Sequence, residues 1–363
     1  MPPKLTDLEI YEFAQNVLSR ITEKLSETYY KNLNGSLTLG WSEEPQFNAW
    51  AESHTIPGQA PNHKIILNYE LVRQLYRDAE GFCAYVQTEP VLNLIKNAFK
   101  NHPHDCLPRC FTLESCIKNM FLSALTWVYY HELGHLMQEH GMVRNNVVGS
   151  ATKNTIGEID SHAKIPLTGR AALISHATEL AADFEATTLC VFSSALHFLK
   201  ESSDLCDAEV FTGNIYLLTC SLACIFYRFN GGTAGAMGTP ITGSHPSAIY
   251  RIEIIAPHIY ELADRLLKEN GFEMTNGRLI SVVKQAADLG SLYYNYSITS
   301  ASEKTIDLFI KGFTNRPEFK PYSREIVNIW DEIYPTIVAS RRFGIDAGLM
   351  QLTDAFRQFS FNE

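Results

Sequence analysis

The sequence predicts a mostly helical α+β fold, with a small sheet placed ahead of a long central helix. Three observations carry that expectation. Apolar residues recur at helical spacing over most of the 363 positions. Three short stretches with strand character, 36–41, 46–51 and 64–68, cluster near the N-terminus. Hydrophobic residues make up 45% and charged residues 19%, which gives enough apolar mass for one large domain or two ordinary ones.

Ile10, Phe13, Val17, Ile21 and Leu25 lie three or four apart, so residues up to about 33 read as a packing helix closed by a turn at Asn34-Gly35. Ser36 to Trp41 alternates as a strand. The segments 46–51 and 64–68 are the next two strands, with a loop carrying Pro57, Gly58 and Pro61 between them. Residues 70–85 and 90–100 read as helices. A long helix should start at Thr112, a good N-cap, with Glu114 in its first turn, and should stop at Gly141. Its face is Leu113, Ile117, Met120, Ala124 and Val128. Residues 142–174 are polar and irregular, and so long a loop usually has a function or is disordered.

A second strong helix is expected from about 175 to 200. The run from Ile215 to Tyr227 is thirteen residues long, short of the roughly 20 that a membrane span needs, so it reads as a buried core helix. The glycine-rich stretch that ends at Gly243 lacks the Lys-Ser or Lys-Thr of a phosphate-binding loop. Helical patterns resume at Pro246, with breaks at Gly271, Asn276-Gly277 and Pro317 to Pro321. This suggests a domain over 1–265 and a helical extension over 266–363.

A formal net charge of -10 argues against nucleic-acid or anionic-membrane partners. No signal-peptide pattern opens the chain, so a cytoplasmic location is expected, with the eight cysteines as free thiols. His102, His104, Cys106, Cys110 and Cys116 are residue types that bind a second, structural metal. Against that, no C-x-x-C pair occurs, and Pro103 and Pro108 point to a loop. Cys220 and Cys224 read as small core residues.

The most informative residues are His131-Glu132-Leu133-Gly134-His135, an H-E-x-x-H pattern. On a helix, His131 and His135 share a face, so both imidazoles reach one ion. Glu132 is offset by one residue, where a carboxylate can take a proton from a water on that ion. A third ligand is needed. The candidate is Glu179, with Asp183 one turn further on in a position to orient a ligand histidine. Alone, this pair would read as a solvated acidic helix face. His176 competes for the ligand role, and Glu185 is a weaker carboxylate candidate. Ser244-His245-Pro246 and Arg251 offer donors for an oxyanion, although alone they would read as a turn and a surface cation.

Taken in order, these motifs resemble the gluzincin family of the CAAX prenyl protease and its bacterial heat-shock relatives. That family carries H-E-x-x-H, then E-x-x-x-D, then S-H-P with an arginine six residues after the histidine. Phe47-Asn48-Ala49-Trp50-Ala51 and Ile65-Ile66-Leu67 look like the strand pair that precedes the family's zinc helix. Phage-exclusion peptidases of the Lit kind share the zinc motif alone. The resemblance implies a zincin-like core with one Zn²⁺ on His131, His135 and Glu179, and Glu132 as general base. It implies further that His245 and Arg251 stabilise the oxyanion, and that an edge strand at Asn48, Ala49 and Trp50 pairs with an extended peptide. The membrane helices common in that family have no counterpart in this sequence.

The expected activity is a zinc-dependent endopeptidase acting on a protein or peptide substrate, with room for a regulatory partner. The alternative is a zinc-stabilised, catalytically latent binding or regulatory protein. An aminopeptidase lacks the acidic G-x-M-E-N type anchor for a free amine.

Overall fold

A computed structural model describes residues 4–56, 59–89, 106–148, 155–157, 166–200, 207–229, 241–273, 276–298 and 310–362. The expected helix over 90–100, His102 and His104, and the glycine-rich stretch through Pro240 lie outside those residues.

The α+β expectation holds: helices dominate, and one small mixed sheet stands beside them. Helix α1 (Asp7–Leu25) opens with a capping box, in which the Thr6 hydroxyl accepts from Glu9 N–H and the Glu9 carboxylate accepts from Thr6 N–H. The chain then turns at Asn34, which takes the left-handed conformation (φ 53°).

Strands β1 (Ser36–Ser42) and β3 (Asn62–Asn68) pair in parallel, and β2 (Ala49–Ser53) pairs antiparallel to β3. A fourth strand, β4 (Thr155–Gly157), falls inside the stretch expected to be irregular. It pairs antiparallel to β2, with Trp50 opposite Gly157 and Ala51 opposite Ile156. The strand order is β1-β3-β2-β4. The β2 strand therefore has neighbours on both sides, and the edge expected to be open is taken by the chain itself. The strand also begins later than the sequence suggests. Asn48 instead closes the corner between the strands, its carbonyl accepting from Asn68 N–H at 3.1 Å.

Helix α2 (Tyr69–Tyr85) leads toward α3 (Leu113–Met137), which starts at the Thr112 cap as expected. It ends four residues before Gly141. Glu139 adopts φ 51° and breaks the helix, and α4 (His140–Val148) leaves in a new direction. Helix α5 (Gly169–Ala195) starts six residues before the expected position and packs along α3. Gly134 permits this: a Cβ there would stand 3.3 Å from both Ala182 Cα and Glu185 Cβ.

Helix α6 (Asp207–Phe229) is long and apolar enough to cross a membrane by composition, but 94% of its apolar window is buried inside the molecule. It is a core helix, packed against α3, α7 (Ala248–Glu269) and α8 (Asn276–Tyr293). Helices α9 (Lys320–Ser340) and α10 (Asp354–Phe361) finish the chain. One hydrophobic cluster runs from Ile10 to Phe359, so the residues after 265 share the core of the metal-site helices. Buried carboxylates hold them there. Glu253 accepts from Lys311 N–H, Gly312 N–H and Arg316 Nε, and Asp288 accepts from Ile310 N–H and Lys284 Nζ.

Candidate metal centre

Helices α3 and α5 cross at the H-E-x-x-H segment, and the i, i+4 geometry puts His131 and His135 on the face of α3 turned to α5. Glu179 meets them from α5. The two Nε2 atoms are 3.1 Å apart. Glu179 Oε2 is 3.2 Å from His131 Nε2, and Oε1 is 3.4 Å from His135 Nε2. Ligands about 2.0–2.1 Å from a tetrahedral ion stand about 3.3 Å from one another; the two imidazole nitrogens are near that spacing, and with one Glu179 oxygen they all lie within 4.8 Å of one another. Two neutral imidazoles and one carboxylate are also the donor chemistry that such an ion takes. Among the described residues these three form the group able to hold a metal, and all three are buried.

Electrostatics favour the same state. Burial alone would raise the Glu179 carboxyl, but His245, His135 and His131 around it hold its pKa well below the usual range. Burial pushes His135 down to about 4 against the opposing pull of Glu179, so the ring is neutral and able to ligate at neutral pH.

Each ligand is steadied by a second residue. His131 Nδ1 lies 3.0 Å from Asp183 Oδ1, and Arg251 binds that carboxylate in a fork, with Nε donating at 2.9 Å and Nη2 at 2.7 Å. The Arg251 guanidinium lies 4.4 Å from the Phe226 ring centre and 6.0 Å from that of Trp127, which is itself 5.2 Å from the His131 ring. Glu179 Oε1 accepts from Arg144 Nη2 at 2.7 Å, and Arg144 Nε donates to Thr178. His135 Nδ1 lies 2.8 Å from His140 Nδ1.

Arg251, expected beside the oxyanion, is fully buried and grips Asp183 through Nε and Nη2. His245 does face the cluster. Its Nε2 is 3.3 Å from Glu179 Oε2, its Nδ1 is 2.8 Å from the Ser244 hydroxyl, and its side chain keeps 13% of its exposure. The Ser244 loop is held to the start of α5 by the Thr168–Thr242 bridge and by Ser175 Oγ donating to Ser244 O. His176 Nδ1 lies 2.8 Å from the Tyr322 hydroxyl, and the group whose donor atoms converge is His131, His135 and Glu179, without His176. Glu132 is fully buried beside the ligands. Asn48 and Ala49 are buried and Trp50 half-buried, with its indole N–H donating to Glu52.

His140, Gln138 and Arg144 escape a sequence reading. His140 and Arg144 follow a helix break that no glycine or proline marks, so periodicity assigns them to the wrong face or to a loop. Of the proposed second cluster, Cys106 and Cys116 are buried and Cys110 is exposed, all as free thiols.

No family model, no curated protein and no solved structure matches the chain. The resemblance to gluzincins rests on the residues themselves.

Proposed function

We propose that the chain is a zinc-dependent endopeptidase of the gluzincin kind, with one Zn²⁺ on His131, His135 and Glu179. The observation that carries this reading is the convergence of those three buried ligands beside Glu132, a carboxylate that a purely structural site does not need. A metal held there lowers the pKa of a coordinated water and polarises a carbonyl.

The protein's own residues do the rest. Glu132 takes the proton of the attacking water and passes it to the leaving amine. His245, the more open residue at the cluster, donates to the oxyanion that forms on the substrate carbonyl. Asp183, gripped by Arg251, keeps the His131 Nε2 lone pair on the ligand side. An extended peptide would take the side of β2 that β4 now fills. A cytoplasmic protein or peptide is the proposed substrate.

A second reading has its own support. The ligands and Glu132 are at most 2% exposed, and β4 already pairs with β2. Both favour a latent or regulatory protein in which the metal stabilises the fold. Glu132→Gln separates the two. The endopeptidase reading expects unchanged metal content and loss of nearly all cleavage of a peptide library or whole-cell lysate. If parent and variant cleave equally, Glu132 is not the base. If the parent binds stoichiometric zinc and cleaves nothing, the latent reading stands.

A further inference from the structure

A buried polar chain runs from the C-terminal part of the protein to His135. Arg341 follows α9, and its Nη2 donates to both oxygens of Glu185, at 3.0 and 2.8 Å. Glu185 Oε2 accepts from Gln138 Nε2 at 3.0 Å. The other end of that amide, Oε1, is 3.2 Å from His140 Nε2. His140 Nδ1 is 2.8 Å from His135 Nδ1, with the two rings at 76°. Gln138, His140 and Glu185 are fully buried, so no water competes for these contacts. The next residue anchors the same corner: Arg342 N–H donates to Met137 O, and its Nε donates to Glu139, the residue whose positive φ turns the chain.

Burial raises the Glu185 carboxyl to about 7 against the opposing pull of Arg341, so above that pH it is ionised and the contacts have one consistent direction. An ionised carboxylate only accepts, so Gln138 must present its NH₂ to Glu185 and its oxygen to His140. An amide oxygen only accepts, so His140 Nε2 carries the proton. Neutral His140 then has a lone pair on Nδ1, and the hydrogen between the two rings comes from His135 Nδ1. That leaves the His135 lone pair on Nε2, the atom facing His131 and Glu179. Both His140 nitrogens are used in this chain, so His140 is not itself a ligand.

We propose that His140 and Arg341 are positioning residues of the metal centre, which together impose the tautomer and ring orientation of His135. The proposal rests on the metal reading of His131, His135 and Glu179, and it deepens that reading. It makes Arg341, 206 residues beyond His135, part of the site. It also gives His135 a partner as definite as the one Asp183 gives His131.

The test uses the full chain at pH 8, with Zn²⁺ and Co²⁺ alone as probes in chelator competition, and compares His140→Asn, His140→Phe, Arg341→Lys and Arg341→Met. Asn keeps an acceptor near the position of Nδ1, whereas Phe keeps only the volume. His140→Asn should stay within a few-fold of the parent affinity with the same cobalt spectrum, and His140→Phe should lose about 10–100-fold. Arg341→Met should weaken both metals, and Arg341→Lys should restore part of the loss. Independently of any variant, ¹⁵N-histidine NMR of the metal-free parent should show His135 protonated on Nδ1, and His140→Phe should release that preference. A packing role would move the Asn and Phe variants alike and leave the tautomer unchanged. Equal affinities for parent, Asn and Phe, or a parent His135 protonated on Nε2, overturn the proposal and leave the metal site standing. A parent that binds neither metal overturns both.

Discussion

Asp183→Asn perturbs a residue that joins the helix packing to the candidate metal centre. Asp183 and Arg251 are fully buried, and two hydrogen bonds at 2.9 and 2.7 Å join them. Removing the carboxylate charge leaves a buried guanidinium without its counter-charge from Asp183, and breaking a buried pair from one side costs about 3–5 kcal/mol. The rings of Phe226 and Trp127 offset about 1 kcal/mol of that. The same change removes the charge of the acceptor 3.0 Å from His131 Nδ1 and leaves one amide oxygen to serve both His131 and Arg251, and weakening such a partner lowers metal affinity by up to about 10–100-fold. The two effects separate in a double-mutant cycle with Arg251→Met. Denaturant unfolding of the metal-free chains should show each single variant strongly destabilised, and the double variant less so than their sum by about 2 kcal/mol or more. Chelator competition should show that the double variant still binds Zn²⁺ weakly, because the carboxylate has not returned. If Asp183→Asn matches the parent in both assays, or the double variant recovers metal affinity along with stability, the reasoning fails.

Other consequences are as direct. Zn²⁺ at about a thousand times its dissociation constant should stabilise the chain by about 4 kcal/mol, and Glu179→Ala should abolish that shift in thermal melts. Burial raises Asp288 to about 6 against the opposing pull of Lys284. A raised acid stabilises the fold most fully below about pH 4, and this contribution is lost as the pH rises through 6. The displacement is worth about 3 kcal/mol, so Asp288→Asn should gain on the parent by roughly that amount between pH 4 and 7; parallel stability curves would contradict this. At Gly290 a Cβ would stand 2.6 Å from Cys220 O and 2.8 Å from Ala223 Cβ. Gly290→Ala should therefore cost about 1–3 kcal/mol by forcing α8 from α6. Gly277→Ala in the first turn of α8 meets nothing within 4 Å and should be neutral or gain up to about 1 kcal/mol; equal effects at the two sites would refute the close approach.

The sequence made each half of the candidate metal centre legible because the relations within each half are short, and the resemblance to gluzincins joined Glu179 to histidines 44 residues earlier. His131 and His135 are one helical turn apart, as are Glu179 and Asp183, and helix periodicity alone puts each pair on one face. The Thr112 cap and the Asn34-Gly35 turn were readable for the same reason: a local hydrogen bond or a local dihedral decides them. The end of α3 was not. Gly141 is the residue that usually stops a helix, yet Glu139 does so here, and its positive φ is held by Arg342 from far along the chain. Local propensity carries no trace of such a contact.

The chain by itself determined a helical α+β protein with a two-histidine, one-glutamate centre and a carboxylate beside it. Only the tertiary structure decided which other groups surround that centre. Arg251 grips Asp183, His140 and Arg144 came from beyond a helix break, and Thr155–Gly157 paired with the free side of β2. These partners are set by how whole helices pack: a helix of 27 residues such as α5 moves all its side chains together once Gly134 and Ala182 come into contact. A one-dimensional pattern records which face a side chain occupies, and the packing of distant elements determines what that face meets.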